Sequence, residues 1–156
     1  MARVFPPGTA RPPEAAGTVV DQQKYRGYAE ALTEAGLDIA AMPMVQAEAD
    51  DPRAAGLLLE AAPQATAFLS MSVMQGIALL VEARRRGLSV PRDLSVVAYN
   101  DIEAAIRCDP PLTTVDSLTR EKGALAARLI FDRGAVRHET LTPRLLVRAS
   151  TAPPRA

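Results

Sequence analysis

One cysteine, one histidine, no surplus of either charge and no long apolar run set the first limits on this chain. With Cys108 alone among its 156 residues, an internal disulfide is excluded. The lone His138 lies in the charged stretch from Arg133 to Glu139, with no cysteine or second histidine nearby, so no metal site is expected. Cys108 follows Arg107, but one neighbouring cation is common and a nucleophile needs a positioned base, so no catalytic role is assigned. Nor is there a nucleophile elbow or an acid–base pair of the kind a hydrolase requires. Eighteen basic residues balance eighteen acidic ones, so the totals show no surface for counterion-releasing DNA binding. The basic run Arg84 to Arg86 reads as cations complementing the dipole at a helix end. A signal-peptide core and a bilayer-length apolar run are both missing, so the expectation is a cytoplasmic chain with no membrane partner.

What is present is an ordinary soluble composition, 48% apolar and 23% charged, long enough to bury one core. Residues 1–20, with Pro6, Pro7, Pro12, Pro13, Gly8 and Gly17, read as a loose arm in which Arg3 to Phe5 is at most a strand remnant. From Asp21 the spacing of Tyr25, Tyr28, Ala29, Leu32 and Ala35 predicts a helix ended by Gly36. Ile39 to Val45 is expected to be a strand. Asp50 or Asp51 is expected to cap a helix with Pro52 at its first position and Ala55, Leu58, Leu59 and Ala62 on its core face. A buried strand at Ala65 to Ser70 leads to a helix with a capping box, Ser72 and Gln75, that Gly87 ends. Leu94 to Tyr99 is a continuous apolar run, the pattern of a strand covered on both faces. A short helix from Asp101 to Arg107 and extended chain from Leu112 to Val115 follow. Leu118 to Phe131 is an amphipathic helix, Arg144 to Arg148 is a closing strand, and residues 152–156 form a frayed tail. Alternating strands and helices with short links specify a parallel sheet covered by helices.

Several separate motifs carry a family likeness. PRDLSVVAYND at Pro91 to Asp101 and PPLTTVDS at Pro110 to Ser117 are two of them, and KYRGYAEALTEAGL at Lys24 to Leu37 and LLVRAST at Leu145 to Thr151 are the others. Together they resemble the effector-binding domain of LacI/GalR-family transcription regulators. The resemblance covers residues 21–151 and implies an α/β, periplasmic-binding-protein-like (type I) lobe with a parallel, helix-covered sheet, truncated at its amino-terminal side. In such proteins a helix-turn-helix head and the first half of the sensor come earlier, and the segment matching 118–135 belongs to the other lobe.

The same resemblance places effector-binding positions. The family's pocket arginine falls on Lys24, which offers one flexible point charge in place of a planar fork. The family's Asn-Asp pair falls on Ser72 and Val73, and Val73 can neither donate nor accept. Asn100 stands where the first of two aspartates is usual, at the end of a strand where open α/β sheets bind ligands. Asp101 and Ser117 complete the set. Each has a plainer reading: Lys24 as a solvated lysine, Ser72 and Ser117 as helix caps, Asn100 as a turn residue and Asp101 as the cap of the next helix.

The function implied is a sensor and dimerisation module of a LacI-type regulator that binds a small sugar, polyol or nucleoside, self-associates, and reaches DNA only through a helix-turn-helix not present in this chain. No cofactor, metal or catalytic residue is implied. The region of Met71, Val73, Met74, Ile77, Leu79 and Leu80 is a candidate pairing face, with helix core as its plainer reading. Two alternatives stay open: a degenerate or truncated structural domain without effector binding, and a fragment of a periplasmic-type sugar-binding protein.

Overall fold

The computed structural model describes residues 3–5, 18–47, 51, 53–132 and 136–154. A helix, α1 (Val19–Glu34), starts two residues before the expected Asp21 because Thr18 and Asp21 cap each other reciprocally across its first turn. It ends as the sequence predicts. Gly36 sits at φ +74°, its N–H reaching Thr33 O while that of Leu37 reaches Leu32 O, so the last carbonyls are satisfied. The same closure recurs at Gly87 after the third helix, α3 (Val73–Arg85), with bonds to Arg84 O and Ala83 O.

Four strands form the main sheet in the order β3 (Ala67–Ser70), β4 (Ser95–Tyr99), β5 (Thr113–Asp116), β6 (Arg144–Leu146). The first three run parallel, as expected for βα repeats, whereas β6 is antiparallel to β5. The sheet is therefore mixed, and β6 is shorter than the Arg144 to Arg148 expected. Strand β1 (Arg3–Phe5) pairs antiparallel with β2 (Met44–Gln46) in a separate two-stranded ladder. The stretch expected to begin β2 is a 3₁₀ turn at Ile39–Ala41, because the Asp38 side chain accepts from Ala40 N–H and draws the chain round. Helix α2 (Ala54–Ala61) begins later than expected. Asp51 bonds the Arg53 N–H and guanidinium, forming a turn ahead of the helix rather than capping it; Asp50 and Pro52 lie outside the described residues.

The core lies between α2 and α3 on one side and the inner face of β3 and β4 on the other. Ala55, Leu59, Phe68, Leu79, Leu80, Ala83, Val96, Ala98 and Leu112 are all buried there. Gly76 lets α3 approach the sheet: a Cβ at that position would stand 2.9 Å from both Ala98 Cβ and Leu112 Cδ2. Arg86 ties the two helices at their edge, donating to Glu82 on its own helix and to Glu60 and Gly56 O on α2. The end of the chain is locked under the sheet by Ser150, fully buried, whose hydroxyl donates to Val96 O (2.6 Å) and accepts from Thr113 N–H (2.7 Å).

Two helices remain. Helix α4 (Glu103–Arg107) starts from Ile102 with no side-chain cap, so Asp101 does not cap it. Helix α5 (Thr119–Phe131) has no buried residue, and Ile130 and Phe131 at its end are 79% and 84% exposed. Leu118, expected as the first residue of this amphipathic helix, instead precedes it as a buried N-cap at φ +55°. No helix among the described residues is long and apolar enough to cross a membrane.

Candidate functional site

Parallel strands end together, and the residues just past those ends share one rim of the sheet. Asn100 follows β4 there, at φ +74°, a left-handed conformation that asparagine tolerates better than most residues. Its backbone N–H bonds Val115 O on β5 (3.0 Å), and its side-chain Oδ1 accepts from the Ser117 hydroxyl at 2.9 Å. Two of the residues singled out in the sequence are thus in direct contact. Ser117 does not cap α5 through its side chain; Asp116 takes the Leu118 N–H instead, at 2.8 Å, which leaves the Ser117 hydroxyl for Asn100 and Thr119.

Lys24 enters from α1. Its Nζ donates to Met71 O, just past β3, and lies 4.2 Å from the centroid of the Tyr99 ring at the end of β4. The lysine therefore bridges two strand ends and is more than a solvated first-turn cation. Tyr28, one turn along the same helix, is held near Tyr99; burial pushes its phenol up to about 12, with Tyr99 adding to the effect. Its hydroxyl is buried with no hydrogen-bonding partner among the described residues. The sequence reading assigned Tyr28 to a helix core face and Tyr99 to an apolar strand, and nothing in either pattern distinguishes a rim aromatic from a core one.

The remaining positions are used differently. Ser72 Oγ accepts from Gln75 N–H at the start of α3, but the reciprocal half of the expected capping box is missing, since the Gln75 side chain reaches Ala47 O. Val73 is buried. Asp101 turns away from Asn100 and is bound by Arg148 Nη1 at 2.7 Å and by the Thr114 hydroxyl at 2.6 Å, with both charged side chains largely covered. Arg148, then Thr114, hold its carboxyl below the ordinary carboxylate range against the opposing effect of burial. Arg148, which also donates to Leu112 O, was read in the sequence only as part of a closing strand.

Two surface cavities lie away from this rim. One, of about 350 Å³ and bordered by Leu80, Arg84, Ser89 and Asp109, sits near the amino-terminal ends of β4 and β5. The other, of about 260 Å³, lies along α5 between Leu125, Leu129 and Leu141. Among the described residues no group of three or more His, Cys, Asp or Glu side chains could hold a metal ion. Of the expected pairing face, Val73, Leu79 and Leu80 belong to the core and Ile77 is partly buried against it. Exposed instead are Met74 (52%) and Val81 (64%), seven residues apart on one stripe of α3, with Ile102 and Ile106 exposed at α4 beside it.

An α/β domain with three parallel strands and polar residues at their carboxyl-terminal ends is an architecture that binds ligands in many proteins. Comparison with known proteins places it further. Residues 8–151 match the periplasmic binding protein-like domain. The HTH-type transcriptional regulator CelR of Thermobifida fusca is 34% identical over 132 residues, 83% of this chain and 38% of that protein. The HTH-type transcriptional repressor CytR of Escherichia coli K12 is 31% identical, over 82% of this chain and 40% of that one. The solved transcriptional regulator CelR–cellobiose complex superposes with a TM-score of 0.70 at 31% identity, covering 86% of this chain and 44% of that one. The chain belongs to the periplasmic binding protein-like domain family, in the form that LacI/GalR-type transcription regulators carry as their effector-binding domain. It spans about two-fifths of the length of these curated relatives.

Proposed function

We propose that this chain is the effector-sensing and self-associating part of a LacI-type transcription regulator, with a small saccharide-like effector held at the strand-end rim. The observation that carries the reading is the pairing of Lys24 with Met71 O and the Tyr99 ring, and of Asn100 with Ser117, all at residues that end or follow β3, β4 and β5. The cellobiose bound by the CelR relative supports a saccharide. In this reading residues 21–151 are one functional unit, residues 118–135 belong to a second lobe, and a helix-turn-helix elsewhere in the protein contacts DNA. Effector binding then biases an equilibrium between two arrangements of the lobes. Self-association uses the exposed stripe of Met74 and Val81 with Ile102 and Ile106, because apolar residues clustered on a surface mark protein contacts.

The test is nuclear magnetic resonance of the ¹⁵N-labelled chain titrated with disaccharides, nucleosides and sugar acids to millimolar levels. Shifts confined to Lys24, Met71, Ser72, Asn100 and Ser117 are expected, and Asn100→Ala should weaken the responding ligand at least tenfold. Shifts elsewhere, or none with any compound, would end the reading. For self-association, Val81→Asp is expected to lower the sedimentation coefficient to that of a monomer.

A second reading, a structural domain without an effector, is favoured by three positions. Ser72 is engaged as a helix cap, Val73 is in the core, and Asp101 is consumed by Arg148. The absence of any rim response in the same titration would select it.

A further inference from the structure

We infer that the rim is built for an anionic, acceptor-rich effector, a carboxylate- or phosphate-bearing sugar, in preference to a neutral polyol; this rests on the strand-end rim being the effector site. The argument starts from Asn100. A side-chain amide can offer an acceptor and two donors, but its Oδ1 here already accepts the Ser117 proton. With that proton committed, the hydroxyl contact between Ser117 and Thr119 at 3.1 Å runs from Thr119 to Ser117. What remains for a ligand is the NH₂ group, with two donors against a single unused lone pair on Oδ1. An aspartate at this place would present only acceptors, suited to sugar hydroxyls. Asn100 in this setting presents donors.

The surrounding charges point the same way. Lys24 brings a full positive charge and only donors, one of them directed at Met71 O. Among the described residues, three carboxylates close in sequence to Lys24, Asn100 and Ser117 are engaged. Asp101 is paired with Arg148. Asp21, three residues before Lys24, accepts from the Thr18 N–H and hydroxyl. Asp116 takes the Leu118 N–H and stands opposite Arg144 across the β5–β6 ladder. Lysine above the Tyr99 face and donors on two sides make a cradle for oxygen lone pairs and negative charge.

The experiment compares matched pairs by amide and Asn100 side-chain NH₂ shifts in the full chain: glucuronate with glucose, galacturonate with galactose, gluconate with sorbitol, and glucose 6-phosphate with glucose. The acids are expected to bind the rim at least tenfold more tightly than their neutral partners, with an advantage that shrinks as sodium chloride rises. Lys24→Gln should cut that advantage to below threefold. Asn100→Asp, which suits the left-handed backbone equally well, should shift preference toward the neutral partner, and Ser117→Ala should do so in part by releasing the amide. Neutral sugars that shift the rim as strongly as their acids would overturn the inference while leaving the rim as the effector site. Acids whose shifts fall outside the rim, or that give none, would overturn both. Inorganic phosphate alone, run in parallel, separates a sugar-phosphate from a bare anion: phosphate matching glucose 6-phosphate would overturn the sugar part of the inference.

Discussion

Arg148 donates through Nη1 to Asp101 Oδ1 at 2.7 Å, joining two residues 47 apart in the chain, one just past β4 and the other just past β6. The pair closes the sheet behind the rim and keeps the acidic group next to Asn100 out of it. Because Arg148 lowers the Asp101 pKa, the folded chain holds its proton less tightly than the unfolded chain does. The sign follows from linkage: this stabilisation is complete above the ordinary value of 3.8 and is lost as pH falls from there through the lower folded value. Asp101→Asn is expected to cost about 3 kcal/mol near neutral pH, as the arginine is left covered without its counter-charge. Urea unfolding between pH 2.5 and 7 checks this, and the deficit relative to the unaltered chain should narrow below pH 3.8.

Gly76 is the point where α3 meets the sheet most closely. A methyl group there would press on Ala98 and Leu112, both fully buried, with no open side to move into. Gly76→Ala is therefore expected to destabilise by about 1–3 kcal/mol, although alanine is the better helix former by about 1 kcal/mol elsewhere. Thermal unfolding followed by circular dichroism measures the difference; a rise in Tm would contradict the close approach.

Ser150 satisfies two backbone groups at once, the Val96 carbonyl and the Thr113 N–H, in a site sealed from water. Ser150→Ala removes one hydroxyl and strands both. A loss of about 2–4 kcal/mol is expected from two unsatisfied buried groups. Hydrogen exchange locates it: the Thr113 amide should lose protection far more than amides of α2.

The sequence revealed the helices and the parallel strands because these depend on local signals. Gly36 and Gly87 end their helices through left-handed turns that only a few residues favour, and the runs at Ala67 to Ser70 and Ser95 to Tyr99 are strand-length and apolar. The direction of β6 was not legible, since the connection from α5, and not the residues Arg144 to Leu146, decides whether it runs with or against β5. At the rim, the position of Asn100 after β4 was readable from the strand pattern and the family resemblance. Its bond to Ser117 and the capture of Asp101 by Arg148 were not, because long-range pairings leave no periodic trace. The same holds for Lys24, whose contact with Tyr99 depends on how α1 lies against the sheet.

Leu118 is a buried side chain on a left-handed residue, set between β5 and a helix that buries none of its own side chains. That geometry sets α5 outside the core, with Leu118 as the buried residue at its base. With so little apolar surface tied down, opening of α5 exposes little that the sheet beneath depends on.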